Sequence, residues 1–515
     1  MADQVEQASQ PSRIGPTGLR EAQDQGRSGA STGSGAPHRA PREGGDGVEE
    51  VDLLVVGGGK AGKSLAMLRA KAGDRVVMVE RDKIGGTCIN VACIPTKTLI
   101  SSARVLHGVQ GAAAHGVELP AADGAAGALA RARIDLAALR GRKEAVVGGM
   151  VAAHRDTLYP GSGMDFVLGT ARFIAERTVE IALADGSTRR VRGTTVLINT
   201  GTTPAVPPIE GLADVPYWTS EDLLTLPELP TSLVVLGGGV IGVEMASLMG
   251  LLGVPVTIVH AGEHILDRED PDVAARVAAD LEALGATILT GARASRVSAQ
   301  DGGEGGVVVT AEDGRQARGS HLLVALGRRP VTGSLDLGAT GVEVDERGFV
   351  VVDDHLRTTA EGVYAAGDVA GTPQFTHASW NDFRVLRDIL AGKEASTAGR
   401  LIPWAVFTTP ELGRVGLGEE EARAAGHEVR VAKTPTAAVP RAKTRGETGG
   451  FYKVIVDART DLILGAAIIG PGASEVVTSV QMAMLGGLTW RQLRDAVITH
   501  PTMSEGLNIV LDSLG

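Results

Sequence analysis

From Asp52 the chain reads as an apolar run, a glycine turn, a longer mixed segment and a second β-branched run ending at Glu80. Short β-branched runs bounded by glycine predict strands, and the longer segment between them predicts a helix. The same series returns 180 residues later. DLLVVGGGKAGKSLAMLRAKAGDRVVMVE (Asp52–Glu80) aligns without a gap on SLVVLGGGVIGVEMASLMGLLGVPVTIVH (Ser232–His260), with 11 identities in 29 positions. In each copy GxGxxG follows a strand and opens a helix, which is the context that gives the motif meaning. An Ala-rich helical insert is expected over roughly 98–158, and GGEGG (302–306) reads as a hairpin turn. FYKVIVD (451–457) and LILGAAIIG (462–470) predict strands, and SEVVTSVQMAMLGG (474–487) predicts a helix. The fold class is α/β, with two Rossmann-like units and a C-terminal α+β domain.

Each glycine of the repeat has a physical role to fill. Gly57 and Gly237 permit the tight turn, Gly59 and Gly239 let backbone approach a pyrophosphate, and Gly62 and Gly242 let helix and strand pack closely. The helix N-terminus then offers free N–H groups and a positive dipole end to phosphate. Ordinary glycine turns are the plain alternative, and a matched pair weighs against it. The copies part at their last residue. Glu80 sits where a carboxylate can bond both ribose hydroxyls of a dinucleotide. His260 stands there in the second copy, with no arginine to mark a 2′-phosphate site, and it reads equally as a loop residue facing solvent.

Composition narrows the classes. The 515 residues allow about three or four domains. The net charge of −11 argues against nucleic acid or an anionic membrane as partner. With Phe 7, Trp 4 and Tyr 4, stacking platforms for single strands are not expected either. Residues 1–50 hold no apolar stretch and read as a disordered tail without a signal peptide, so a cytoplasmic protein is expected. Leu233–Val259 has one charge, Glu244, and approaches a membrane span in length, but its six glycines and one proline favour strand–turn–helix–strand.

The chain has two cysteines, Cys88 and Cys93, in GGTCINVACIPTK (85–97). So few cysteines exclude a secreted disulfide scaffold. Zinc would need about four ligands, and no second cysteine pair exists. A redox pair and an inert buried pair are left, and the loop's place behind a dinucleotide turn favours redox. Lys97, four residues beyond Cys93, can bring a charge to the same region.

GGTCINVACIPTK resembles the redox-active loop of the class I pyridine nucleotide-disulfide oxidoreductases, which include dihydrolipoamide dehydrogenase, glutathione reductase and mercuric reductase. LINTG (197–201), GVYAAGD (362–368) and HPTMSE (500–505) resemble further motifs of that family, so the likeness spans about residues 51–515. It implies FAD at the first turn (Gly57, Gly59, Gly62, Glu80, Gly86, Thr87, Thr200, Gly201, Gly367, Asp368). It implies NAD(P)H at the second (Gly237, Gly239, Gly242, His260, Gly327). Cys88 and Cys93 are implied as a redox disulfide, Cys93 beside the flavin and Cys88 toward the substrate. Lys97 and Glu244 match an ion pair near the flavin. His500, assisted by Glu505, is implied as the proton-exchanging pair, supplied across a homodimer. The implied domains are FAD-binding (51–202 and 326–400), NAD(P)-binding (203–325) and interface (401–515), with no resident metal.

Within the family GKAGK (59–63), CIPTKTL (93–99), SWNDFRVLRD (379–388), AAVPRAK (437–443) and HPTMSEGLN (500–508) resemble a reactive-chlorine-resistance, copper(II)-reducing branch. No cysteine follows Cys93, so the C-terminal pair of the mercuric reductases is missing. Ile498 removes the HxHP pattern of many dihydrolipoamide dehydrogenases, and Ala92 replaces a glycine common before the second cysteine. The expected activity is electron transfer from NAD(P)H through FAD and the sulfur pair to a disulfide, a metal ion such as Cu(II) or another oxidant. Dihydrolipoamide dehydrogenase is the alternative, and a flavin-binding regulator without turnover is a third reading.

Overall fold

β1 (Glu49–Val56), α1 (Lys60–Lys71) and β2 (Val76–Glu80) form the first unit of the repeat, and α2 (Cys93–Gln110) follows the cysteine loop. β3 (Leu233–Leu236), α3 (Val240–Leu251) and β4 (Val256–Val259) form the second. The computed structural model describes residues 42–43, 47–118, 132–300 and 306–515. The repeat is kept down to register. Leu53 lies beside Val76 and Val56 beside Val79 in one unit, and Leu233 lies beside Val256 and Leu236 beside Val259 in the other. Both strand pairs are parallel and covered on both faces, which is why they read as continuous apolar runs.

Most of the tail expected over 1–50 lies outside the described residues, and its end is corrected. Glu49 and Glu50 already pair with Val191 and Arg192, because a backbone ladder continues past the point where side chains stop being apolar. The first sheet runs Asp165–Leu168, β2, β1, Thr188–Ile198, Thr178–Ala182, Thr170–Ala175. Val363–Ala365 joins it parallel to Thr188–Ile198, so segments from either side of the second unit share one sheet. The crossings meet where Thr202–Pro204 pairs with Arg328–Pro330.

The second sheet is parallel, in the order Thr287–Leu289, β4, β3, His321–Val324. The glycines break the apolar stretch 233–259 as expected, and among the described residues no helix is long and apolar enough to cross a membrane. Strands Ala294–Ala299 and Val307–Ala311 pair antiparallel, but the GGEGG turn between them falls, except for Gly306, outside the described residues. Near the C-terminus lies a five-stranded antiparallel sheet whose core includes Trp490, Leu507 and Val510.

One cluster of buried side chains fixes the position of α2. Leu99, Ile100 and Ala103 pack with Met245, Leu248 and Met249 of α3 and with Val406 and Leu412 of the C-terminal sheet. Polar contacts back this up. Lys453 bonds Asp270, Asp272 and Glu419, and buried Arg414 faces buried Glu269. The start of α2, which carries Cys93, is thereby held among the first unit, the second unit and the C-terminal sheet.

Candidate redox site

The two glycine turns are forced by backbone crowding. Gly57 has φ +99° and a Cβ there would come within 2.5 Å of the Asn199 carbonyl oxygen. Gly237 has φ +106° and its Cβ would strike the Ala325 carbonyl. Cβ atoms at Gly62 and Gly242 would strike the carbonyls of Gly57 and Gly237. The Gly59 position differs from its counterpart. Its Cβ would meet the Asn199 side chain, whereas Gly239 faces open space. Neither α1 nor α3 is capped by the side chain of its N-cap residue, but in α1 the Ala61 and Gly62 N–H groups already donate to Ser379 Oγ and Asn199 Oδ1, so α1 turns its positive dipole end toward an anion with fewer free N–H groups than α3. With Glu80 at the strand end, this cradle fits a dinucleotide.

Glu80 is oriented by its neighbours. Oε2 accepts from Gly58 N–H (2.7 Å), and Oε1 accepts from Asp82 (3.1 Å) and Lys83 (3.2 Å). His260 takes the matching place in the second unit. Its Nδ1 accepts from Gly238 N–H (3.1 Å) and its Nε2 lies 2.8 Å from Asp267 Oδ1. His260 is 8% exposed, so the solvent-facing loop reading is corrected. The imidazole is flat and largely apolar, and it packs under the turn with both nitrogens bonded.

Gly86 (φ +79°) brings the cysteine loop onto the first turn, where a Cβ would lie 2.9 Å from the Gly58 carbonyl oxygen. Thr87 opens the helical turn Thr87–Asn90. The Asp368 carboxylate accepts from Thr202 Oγ1 (2.7 Å), which also accepts from Arg328 Nε (2.8 Å), and burial pushes the Asp368 carboxyl up. Gly367 N–H donates to Asp382 (2.7 Å), a fully buried carboxylate also held by Arg400. Thr200, Gly201 and Gly327 serve the crossing between units. The Thr200 hydroxyl donates to Val331 O (2.8 Å), Gly201 O accepts from Val331 N–H (3.0 Å), and Gly327 O accepts from Ala205 N–H (2.9 Å).

Cys88 lies in the turn Thr87–Asn90 and Cys93 is the first residue of α2, so the sulfurs meet between two helix starts. Cys88 and Cys93, the pair implied as a redox disulfide, lie side by side and half-buried. Hydrogen bonding from Cys88 pulls the Cys93 thiol down to about 6, with Thr376 Oγ1 (3.3 Å from Sγ) and the Lys97 charge assisting. The same bond, with burial, pushes Cys88 up. Cys93 therefore carries the first negative charge of the pair, at a helix N-terminus that favours it.

Lys97 and Glu244 come together as implied. Lys97 Nζ lies 2.7 Å from Glu244 Oε2, Oε1 accepts from Phe407 N–H (2.9 Å), and the ammonium stands 4.7 Å from the Phe407 ring centre. His500 Nδ1 bonds Glu505 Oε1 at 2.8 Å, with the imidazole 66% exposed. Among the described contacts none links this pair to either sulfur of its own chain. The imidazole points outward.

Three contributors escaped the sequence reading. Lys63 is buried in α1, donates to Gly85 O (2.7 Å) and is pushed down to about 8 by burial and by Lys60, while Cys88 opposes. Its signal was available: it occupies the position of apolar Val243 in the second copy. Thr376 gave no signal, since it meets Cys93 across 283 residues. Asn199, inside LINTG, accepts from Gly62 N–H (2.8 Å) and donates to Ala366 O (2.6 Å), tying the turn to the strand beside it.

Residues 51–382 match the family model of the pyridine nucleotide-disulphide oxidoreductases, and residues 402–510 match that of their dimerisation domain. The chain belongs to this family. It is an oxidoreductase of FAD-containing, NAD(P)H-dependent type. It is 39% identical over 466 residues to a probable pyridine nucleotide-disulfide oxidoreductase, RclA, of Escherichia coli, covering 90% of this chain and 98% of that one. It is 36% identical to a dihydrolipoyl dehydrogenase of Haloferax volcanii, over 90% of this chain and 96% of the other. Among solved structures, the Cu(II) complex of the HOCl-induced flavoprotein disulfide reductase RclA from E. coli superposes with a TM-score of 0.80 at 38% identity, over 90% of this chain and all of that one. Family membership sets the cofactors.

Proposed function

We propose that the chain reduces an external oxidant, a disulfide or a metal ion such as Cu(II), through Cys88 and Cys93 at the expense of NAD(P)H. Gly57, Gly59, Gly62, Glu80, Gly86 and Asp368 would hold FAD, and Gly237, Gly239, Gly242 and His260 the nicotinamide nucleotide. Bound FAD supplies the two-electron relay between nicotinamide and the sulfur pair.

The observation that carries this reading is the asymmetric dithiol. Cys93 is held as a thiolate by Cys88, Thr376, Lys97 and its helix end, while Cys88 keeps its proton. Each turnover closes the Cys93 thiolate and the Cys88 thiol to a disulfide and releases two electrons and the one Cys88 proton, the second proton needed to make two thiols of an external disulfide coming from water. One external disulfide becomes two thiols, or two Cu(II) become two Cu(I). Cys88 needs a base to shed its proton, and a histidine tied to a carboxylate is suited to that exchange. His500 is outward-facing, so we place it in the sulfur site of a second copy, which makes the working unit a homodimer. The similar E. coli flavoprotein disulfide reductase forms a Cu(II) complex, which supports the metal acceptor.

The test is an acceptor panel of lipoamide, glutathione disulfide, Cu(II), Hg(II) and quinones on the FAD-loaded protein, with NADH and NADPH in parallel, repeated on Cys88→Ser and His500→Ala. Acceptor reduction lost in Cys88→Ser supports the reading. Lipoamide turnover exceeding every other acceptor would replace it with dihydrolipoamide dehydrogenase activity. FAD binding without NAD(P)H consumption by any acceptor would leave only a flavin-binding regulator.

A further inference from the structure

The second dinucleotide turn has no acid at the end of β4, where its sister has Glu80. Yet an acid stands close by. His260 fills the space under the turn and bonds Gly238 N–H as Glu80 bonds Gly58 N–H. Because that N–H is a donor, Nδ1 must be the acceptor. The ring proton then sits on Nε2 and is donated to Asp267 Oδ1, 2.8 Å away.

The loop that carries Asp267 is pinned to the same turn. Leu266 N–H donates to Gly238 O at 2.8 Å, and Leu266 takes φ +55°, a left-handed conformation that costs a leucine energy. Gly262 is required between the two partners, because a Cβ there would lie 2.8 Å from His260 Nε2 and would collide with Asp267 Oδ1. The Asp267 side chain is 59% exposed although its His260 partner is 10% exposed. A carboxylate is thus fixed at the open edge of the turn, displaced outward by the width of one imidazole.

We infer that His260 and Asp267 act as one unit that selects a nicotinamide dinucleotide with a free ribose 2′-hydroxyl over one bearing a 2′-phosphate. His260 positions, and Asp267 supplies the charge that accepts from the hydroxyl and repels the phosphate. The inference rests on the second turn being the nicotinamide nucleotide site. Arg268 is exposed beside Asp267 and is the cation that would favour the opposite choice.

The test is binding, read by calorimetry on the oxidised, FAD-loaded protein with NAD⁺, NADP⁺, 5′-AMP and 2′,5′-ADP. The parent is expected to bind the unphosphorylated member of each pair about tenfold or more tighter. Asp267→Asn should shrink that ratio to about threefold or less, chiefly by tightening the phosphorylated ligands. His260→Glu should keep the preference, because it restores a carboxylate at the strand end, while His260→Ala should lose it with FAD content unchanged. Equal or tighter binding of the phosphorylated ligands by the parent, or an unchanged ratio in Asp267→Asn, overturns the inference alone. Failure of NAD⁺ and NADP⁺ alike to bind overturns the reading of the second turn and the inference with it.

Discussion

The two copies of the glycine-turn unit share a backbone and differ in what they carry. Strand register, helix limits and the first-glycine φ repeat at the 180-residue offset. Among the nine pairs of positions that differ in charge, three carry the contrast. Lys63 stands against Val243, Ser64 against Glu244 and Glu80 against His260. Lys63 lies beside Cys88, Glu244 holds the lysine near Cys93, and Glu80 and His260 each bond the glycine turn of their own unit. The duplicated backbone supplies two cradles, and a few buried charges distinguish them.

The largest effects should come from breaking the cradles one at a time. Gly57→Ala and Gly237→Ala each place a Cβ against a carbonyl at positive φ, at a cost of about 3 kcal/mol or more. Gly57→Ala is expected to purify without FAD. Gly237→Ala is expected to keep FAD, seen by its absorbance, and to lose NAD(P)H binding. If both lose the same ligand, the division of labour between the units is wrong.

Exchanging a buried charge for its counterpart is the next test. In the folded protein Lys63 titrates near 8, against an ordinary 10.5, because burial disfavours the ammonium. Below pH 8 both folded and unfolded chains hold the proton, and the buried charge costs about 3 kcal/mol. Between 8 and 10.5 the unfolded chain binds more protons, so stability rises with pH. Lys63→Val should therefore be more stable than the parent at neutral pH, with the two urea midpoints converging as pH rises through that window. A constant gap would show that the lysine is not held against its charge.

Glu244→Gln should cost about 2 kcal/mol by stranding Lys97, less than a fully buried pair because Lys97 is 33% exposed. It also removes a charge that opposes the Cys93 thiolate, so Cys93 should titrate lower even as stability falls. Urea denaturation and site-resolved alkylation measure the two effects separately. Glu244→Gln with unchanged stability would mean that the pair is a surface contact.

Much of this was legible in the chain. The repeat, the cysteine loop and the HPTMSE pairing rest on local spacing, and local spacing survives folding. His260 was visible as a departure, but its burial was not. Nothing within the β4 end announces that Asp267, seven residues on, will fold back to satisfy the ring. Lys63, inside GKAGK, is a lysine in a valine's place, and only its burial shows what that exchange means. Thr376 and Phe407 reach the site from sequence positions with no shared pattern, and only tertiary packing joins them to Cys93 and Glu244.

The smallest effect tests whether the sulfur site depends on such distant contacts. Thr376 Oγ1 lies 3.3 Å from Cys93 Sγ and can donate to the thiolate. Its share in lowering Cys93 ranks below the Cys88 hydrogen bond, so Thr376→Val should raise the titration of Cys93 from about 6 by less than about one pH unit. The rate of Cys93 alkylation against pH, resolved by peptide mass, gives the midpoint directly. Cys88→Ala is the comparison within the same assay and should move the midpoint further, since it removes the larger support. A larger shift from Thr376→Val than from Cys88→Ala would reverse that ranking. The thiolate would then be held chiefly by the far side of the fold, and the two-cysteine loop could not be read as a self-contained device behind the first turn.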